Sequence, residues 1–463
     1  MSPRRLWFST INLGCSKNMV DTQNLLGRML RLGQNNLTWD VQYCADPDDE
    51  EVTIVFINTC GFLRSGRQEM LEVVKTYVDR GIIVYVMGCG AEYFEATRRT
   101  IDESLLKEED DDYQERKRLL QSGKMFLLSR KDMEKVNLYD IARGYSSVLF
   151  DGFAFVANPR AFTNAHLGYE YCKIAEGCNN SCSFCIIPKI RGKQRSRPIS
   201  EIIDDIRQMR AAQIPEIILL AQDTTRYGVD LLHRPMLFDL LDEIEALDDE
   251  FRLRLLYMYP DVLTLNHLRQ LQGFRKLLPY FDIPLQHISS PVLKRMGRFY
   301  DEEYLYAFLD EIARLFPTRY MRTNYIIGFP GETEADFIKL CDWVQKDVFD
   351  SIALFEYHDE LLAPSSKLDQ KVPDEEIHRR FLHIKGIWDS LATAREKRRH
   401  GQQCTGIVTD IDTRRQMLTV RPLLHAPDID PVDHVPFRSV VGWREKKASI
   451  ETGVEVSYVV GSL

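Results

Sequence analysis

Cys178-Asn179-Asn180-Ser181-Cys182-Ser183-Phe184-Cys185 decides the reading of this chain. Three thiolates at CxxxCxxC spacing can ligate three irons of a 4Fe–4S cluster and leave the fourth without a protein ligand. An open iron suits a site that must bind a small molecule, whereas an electron carrier usually closes all four positions. Zinc is the competing metal, but structural zinc sites take a fourth Cys or His at finger spacing and none follows nearby. Cys172 is the only extra local thiol and belongs to the preceding strand pattern.

Outward from the triad, strand patterns alternate with helical ones. Candidate strands are Tyr171–Ala175, Glu216–Ala221, Arg252–Tyr259, Tyr280–Leu285, Met321–Ile327 and Ser351–Tyr357, with helices such as Ser200–Ala212 and Glu334–Gln345 between them. Six strand-plus-helix units predict a barrel or partial barrel over residues 168–400, whose working loops lie at the strand C-termini. The basic run Arg395-Glu396-Lys397-Arg398-Arg399-His400 closes it. Beyond lie short β runs, Thr405–Thr409, Met417–Val420 and Val454–Val459, punctuated by Gly401, Pro422, Pro427, Pro431 and Gly453. They predict a small all-β domain, plausibly a barrel, over 401–463.

Upstream, the apolar runs Leu6–Leu13, Val52–Asn58 and Ile82–Met87 alternate with the amphipathic stretches Val20–Leu32 and Gln68–Val78. That pattern predicts an open parallel α/β domain over residues 1–157, with a linker near 158–168. Cys15, Cys60 and Cys89 each follow one of these strands. A parallel sheet delivers such loops to one edge, so topology can gather three residues far apart in sequence. Gly14, Gly61, Gly88 and Gly90 beside them permit close backbone approach. Three buried core thiols is the competing reading. Cys44, Cys172, Cys341 and Cys404 lack this context and read as buried thiols. The acidic stretch 101–118, with Glu108-Glu109-Asp110-Asp111-Asp112, reads as a solvated helix or insertion.

The 463 residues exceed one ordinary domain. With 44% apolar and 28% charged residues, neither a membrane protein nor a disordered chain fits. Sixty Lys+Arg against 69 Asp+Glu, a net charge of −9, argue against nonspecific coating of nucleic acid. Clustered cysteines suggest thiolate ligands kept reduced in a cytosol. Ser9, Thr10 and Asn12 interrupt any leader-like run after Arg4-Arg5, so a cytoplasmic protein is expected.

Four stretches carry a family resemblance: Leu13–Val20 (LGCSKNMV), Asn58–Phe62 (NTCGF), Ala175–Arg197 and Tyr325–Thr333 (YIIGFPGET). Together they resemble the methylthiotransferases of the radical S-adenosylmethionine (SAM) superfamily. The resemblance implies an N-terminal domain with an auxiliary cluster on Cys15, Cys60 and Cys89, a radical SAM TIM-type (partial) barrel with its cluster on Cys178, Cys182 and Cys185, and a C-terminal TRAM barrel. It also implies two 4Fe–4S clusters and SAM as cofactors, with Phe184 near the adenine or simply packed in the core. By the same resemblance, the reduced triad cluster would cleave SAM chelated at its open iron to methionine and a 5′-deoxyadenosyl radical, and the auxiliary cluster's open iron would hold the sulfide or polysulfide to be transferred. Both clusters are expected to face one cavity. The turn Gly328-Phe329-Pro330-Gly331 after the fifth barrel strand supports SAM or is an ordinary strand-to-helix turn.

One branch of the family modifies tRNA adenosine; the other modifies the β-carbon of an aspartate in small-subunit ribosomal protein S-twelve. Gln222-Asp223-Thr224-Thr225 with Tyr227-Gly228, and Ile283-Pro284-Leu285-Gln286-His287, resemble the ribosomal branch. Residues 401–463 hold seven Lys+Arg and eight Asp+Glu, which suits an RNA-binding module poorly. The expected partners are therefore the ribosomal protein, free or on the ribosome, and an electron donor such as flavodoxin or ferredoxin, with tRNA or a two-cluster electron carrier as the alternatives. Arg191, Arg195 and Arg197 are candidates to pair with the target carboxylate, or are solvated loop residues. The loop Tyr357–Pro364 departs from the family's usual run and bears on the substrate.

Overall fold

The computed structural model describes residues 4–34, 39–62, 64–100, 112–129, 160–443 and 449–461. It comprises two units, Met1–Thr163 with Ile186–Gly192, and Asn164–Cys185 with Lys193–Leu463. Among the described residues no helix is long and apolar enough to cross a membrane. Residues 101–111 of the acidic stretch lie outside the described residues; a helix follows at Asp112–Gln121.

The first unit is built on a parallel sheet of β1 (Arg4–Asn12), β2 (Trp39–Tyr43), β3 (Ile54–Thr59), β4 (Ile83–Gly88) and β5 (Met125–Leu128), in the order β2-β1-β3-β4-β5. Every residue of β3 is buried, as expected where helices cover both faces of a parallel sheet. Phe56, Tyr85 and Phe126 stand in register on neighbouring strands and stack at centroid distances of 5.3 and 5.4 Å. Cross-strand aromatic pairs of this kind fix the register. The strand order reverses between β1 and β3, and in such sheets the crevice beyond the strand C-termini at that point is where ligands bind.

In the second unit β6 (Glu170–Lys173), β9 (Glu216–Leu220), β10 (Arg252–Leu255), β11 (Tyr280–Asp282), β12 (Tyr320–Ile327) and β13 (Ser351–Glu356) form two parallel three-stranded sheets, β10-β9-β6 and β11-β12-β13. The Leu253 amide donates to the Lys276 carbonyl and the Leu278 amide to that of Leu253, both at 2.8 Å, and these bonds join the sheets. The result is a partial barrel of six parallel strands. A two-residue pairing of β7 (Ala175–Glu176) with β8 (Arg195–Ser196) brackets the triad loop.

The sequence pattern extends two of these strands further, to Tyr259 and Leu285. The first stops at Leu255 because Tyr257 adopts a left-handed φ of +59°; the second ends at Asp282. Asp282 accepts the Tyr257 amide at 2.9 Å, taking over a ladder bond.

The C-terminal strands β14 (Gln403–Asp412), β15 (Met417–Pro422), β16 (Asp433–Pro436) and β17 (Glu455–Val459) form an antiparallel sheet, β16-β15-β14-β17. A register shift between Val408 and Asp410 curls it into a half-barrel over Val408, Leu418, Val420, Val435, Val456 and Tyr458.

This half-barrel is tied to the partial barrel by buried charge. Glu216 of β9 is wholly buried and accepts from Arg254 Nε of β10 and Arg421 Nη2 of β15, each at 2.8 Å. Arg254 also donates to the Leu423 and Leu424 carbonyls at 2.8 Å. Tyr169 and Tyr171 donate to Asp428 at 2.9 and 3.0 Å, and Tyr280 donates to Asp430 at 2.8 Å.

Burial disfavours the Glu216 carboxylate, but Arg254 and Arg421 outweigh it and hold its pKa below the usual carboxylate range. A carboxyl depressed by folding stabilises the fold above its unfolded pKa, and that contribution is lost as pH falls through the folded value. Glu216→Gln leaves two guanidiniums without their counter-charge and is expected to cost about 3–5 kcal/mol, read from urea unfolding of unit 2. The deficit should shrink as pH falls below about 4.3, where the unfolded chain's carboxyl protonates, and vanish once pH passes below the depressed folded value.

Candidate active site

At the C-terminal edge of the first sheet, Cys15 follows β1, Cys60 follows β3 and Cys89 opens the helix Cys89–Thr100 after β4. None of the ten cysteines forms a disulfide. The Cys15 and Cys60 thiols both oppose ionisation of Cys89, which places each of them within electrostatic reach of Cys89. Asn18, buried one turn into the helix Ser16–Gln34, stands among them. Its Oδ1 lies 3.9 Å from Cys15 Sγ and 3.8 Å from Cys89 Sγ, and its Nδ2 donates to the Thr59 carbonyl at 2.7 Å. Asn58 in turn donates to the Asn18 carbonyl at 2.6 Å.

Arg191 enters the same place from the Ile186–Gly192 segment of this unit. It donates from Nε to Cys89 Sγ at 3.0 Å, bonds Asn18 Oδ1, and lies 3.5 Å from Asp21. Dense surrounding protein opposes ionisation of Cys15 although solvent reaches its side chain; Lys17 and Arg191 outweigh that and hold the thiol below its ordinary value. At Cys89 burial prevails over Arg191 and the thiol is pushed up. The glycines permit the approach. A Cβ on Gly61 would stand 2.1 Å from the Cys89 carbonyl oxygen, and Gly88 takes φ +78° against the Asn58 side chain.

The triad loop lies at the C-terminal face of the partial barrel and is clamped from two sides. Ser183 gives its amide to the Met296 carbonyl at 2.9 Å and its hydroxyl to that of Arg295 at 2.7 Å, and its own carbonyl accepts the Ser365 amide at 2.7 Å. Burial pushes the Cys178 thiol up to about 11, against a 3.4 Å hydrogen bond from the Asn180 amide. Such N–H donors stabilise a cysteine sulfur that bears charge. Cys182 Sγ is 3.9 Å from the Tyr259 hydroxyl.

Arg298 is 6% exposed, its guanidinium 4.3 Å from the Tyr259 ring centroid and 5.5 Å from that of Phe184. Its Nε and Nη1 are buried without a hydrogen-bond partner. Both cysteine sets therefore offer thiols, amide donors and buried cations, a donor chemistry that fits anionic iron–sulfur clusters. Among the described residues no three Cys, His, Asp or Glu side chains converge on a single metal ion; a four-iron cube takes one thiolate per iron and does not require that.

Phe184 packs edge-on to Phe329, 6.5 Å between centroids, at the margin of a cluster formed by Val292, Met296, Phe329, Tyr357 and Ile377. The Gly328–Gly331 turn is braced by protein. The Gly328 amide donates to Glu332 at 2.9 Å, the Pro330 carbonyl accepts from Arg295 at 2.8 Å, and a Cβ on Gly328 would meet Ile377 at 2.4 Å. Of the three candidate arginines, Arg191 is engaged at Cys89, and Arg197 bonds the Lys173 carbonyl at 3.1 Å and Asp205 at 2.8 Å; Arg195 is exposed. The divergent Tyr357–Pro364 loop is held by Tyr357 donating to Asp359 at 2.6 Å and by Lys371, which bonds Asp359 and the Ser365 carbonyl. Ser365 being bonded to Ser183, that loop adjoins the triad. Of the remaining thiols Cys172 and Cys341 are buried as expected, while Cys44 and Cys404 are only partly so.

Asn18, Arg298 and Tyr259 are absent from the residues picked out in the sequence. Asn18 had a signal, a polar side chain on the inward face of a helix within the LGCSKNMV stretch; Arg298 and Tyr259 had none.

A Radical SAM superfamily model matches residues 172–344, and the model described as Uncharacterized protein family UPF0004 matches residues 7–105. Proteins named ribosomal protein uS12 methylthiotransferase RimO are similar over nearly the whole length. That of Carboxydothermus hydrogenoformans is 32% identical over 91% of each chain. That of Aquifex aeolicus is 31% identical over 92% of this chain and 90% of its own. That of Hydrogenobaculum is 29% identical over 97% and 98%. Among solved structures, the radical SAM methyltransferase TsrM from Kitasatospora setae has a TM-score of 0.49 at 14% identity, over 78% of this chain and 77% of that one.

Gly61→Ala must displace the Cys89 backbone. Anaerobically reconstituted protein should then hold about four rather than about eight irons per chain, the loss matching that of a Cys15, Cys60 and Cys89 triple alanine variant. Iron analysis that returns the wild-type value for either variant contradicts the assignment of these thiols.

Proposed function

Because the chain belongs to the family of ribosomal protein uS12 methylthiotransferase RimO, we propose that it adds a methylthio group to the β-carbon of an aspartate in ribosomal protein S-twelve. The observation that carries this is identity of 32% over 91% of both chains, beside family models whose matched stretches, 7–105 and 172–344, contain the two cysteine sets. The domains are assigned as 1–157 for the methylthiotransferase domain, 168–400 for the radical SAM domain and 401–463 for TRAM. A curled antiparallel half-barrel in the last stretch supports the TRAM assignment.

Two 4Fe–4S clusters and SAM, when bound, supply the one-electron and sulfur chemistry that no side chain performs on an aliphatic C–H bond. The protein's part is placement and charge. Cys178, Cys182 and Cys185 would hold one cluster, on a loop that the Met296 and Arg295 carbonyls and the Ser365 amide keep rigid. Cys15, Cys60 and Cys89 would hold the other, with Arg191 donating to the Cys89 sulfur and itself held by Asn18.

Phe184, Gly328 and Pro330 are assigned to the SAM side of the triad. The edge-on contact of Phe184 with Phe329 supports this, because Phe329 stands between Gly328 and Pro330 in that turn. The Tyr357–Pro364 loop is assigned to the substrate mouth on the strength of the Ser365 to Ser183 bond. A small electron-transfer protein such as flavodoxin or ferredoxin is the proposed reductant. The cytoplasm, where thiols stay reduced and ribosomes are met, is the proposed location.

The test is the intact mass of ribosomal protein S-twelve from cells with and without the gene. Methylthio mass should disappear with the gene, return with the wild-type gene and stay absent with a Cys182→Ala copy. An unchanged mass, or loss of a methylthioadenosine from tRNA instead, defeats the proposal.

A further inference from the structure

Arg298 poses a problem that the family chemistry does not by itself answer. Burying a guanidinium is costly unless an anion and hydrogen-bond acceptors meet it. Among the described residues no carboxylate lies within ion-pair distance of Arg298, and its Nε and Nη1 have no acceptor. What does surround it is aromatic. Tyr259 and Phe184 present their ring faces, and the Tyr259 and Tyr300 hydroxyls stand beside it. Burial pushes the Tyr300 hydroxyl up to about 12, so it stays neutral and leaves the charge uncompensated. The Asp261 carboxylate feels the charge but is paired with Arg226 at 2.7 Å, and the other group in reach that can bear negative charge is the Cys182 sulfur, which adjoins the Tyr259 hydroxyl at 3.9 Å.

The backbone keeps the cation there. Arg298 follows Gly297, whose φ of +73° turns the chain against the Ser181 carbonyl, where a Cβ would stand at 2.6 Å. Its amide is bonded to the Leu293 carbonyl at 2.9 Å. The guanidinium is thus fixed at the triad loop, on a short run of chain that also carries the Met296 and Arg295 carbonyls to Ser183.

A cluster held by three thiolates becomes more negative by one charge when it gains an electron. A permanent cation in dense protein attracts the reduced form more than the oxidised one. We infer that Arg298 is a positioning residue whose fixed charge raises the reduction potential of the cluster on Cys178, Cys182 and Cys185. This rests on the assignment of that cluster, so the experiment separates the two.

The full-length chain is reconstituted anaerobically and titrated by EPR, without and then with SAM, as wild type, Arg298→Lys and Arg298→Gln. In the wild type a reducible signal that changes on adding SAM establishes the triad cluster; its absence overturns the assignment and the inference together. Given that signal, the SAM-free reduced fraction of Arg298→Gln, measured at a potential where the wild type is mostly oxidised, should fall about tenfold or more, a shift of about 59 mV for one electron. Arg298→Lys should stay within about threefold of the wild type, since it keeps the charge.

An Arg298→Gln midpoint equal to the wild type overturns the inference. So does a variant that only weakens SAM binding, because the guanidinium then serves the SAM carboxylate. If Arg298→Gln does not load iron, Arg298→Lys decides. Loading at the wild-type potential supports the charge requirement, and failure to load shows a purely structural guanidinium and overturns it.

Discussion

Holding iron through sulfur requires thiolates, and a cysteine set suited to that task has to offset the burial that favours the neutral thiol. That demand organises both cysteine sets. At Cys89 burial raises the thiol and Arg191 meets it directly, with Asn18 fixing the geometry. At Cys178 burial raises the thiol and a backbone amide answers it. A cation without a carboxylate, an asparagine at zero exposure and a glycine that tolerates no Cβ are each unfavourable alone. They become intelligible together around sulfur: the cations offset its charge, the asparagine oxygen holds Arg191 in place, and the glycine lets the chains approach.

The scaffolds reach the same end by different routes. The first sheet gathers three thiols from separate loops, because parallel strands deliver all their C-terminal ends to one edge. The partial barrel supplies its three from a single loop and then has to fix that loop, which it does with main-chain carbonyls from 295–296 and an amide from 365. Rigidity follows from backbone bonds in the second case and from a buried asparagine pair, Asn18 and Asn58, in the first.

Much of this was legible in the sequence. Strands such as Ile54–Thr59 read clearly because burial on both faces makes a continuous apolar run. The edge strand Trp39–Tyr43 carries no such run, since a polar residue alternates with each apolar one, and Met125–Leu128 is too short to stand out. The triad and the three strand-end cysteines were visible as residues. Their supporting cations were not. Arg191 read as a partner for the target carboxylate or a solvated loop arginine, because nothing local shows that it meets Cys89, 102 positions away. Glu216 read as an ordinary strand residue, whereas its partners Arg254 and Arg421 lie 38 and 205 positions downstream. Contacts across such separations are set by topology and leave no periodic trace.

The segment Ile186–Gly192 also bears on how such a protein can be taken apart or recombined. It is interposed in the barrel sequence yet belongs to the first unit, so that unit is not a contiguous cassette. A fragment cut at residue 157 would omit Arg191, leaving Cys89 raised by burial with its nearest guanidinium gone. Grafting the amino-terminal module onto a foreign radical SAM host would fail at the same point unless the host carried an equivalent arginine. Seven residues of the barrel sequence are thereby needed to complete the first unit.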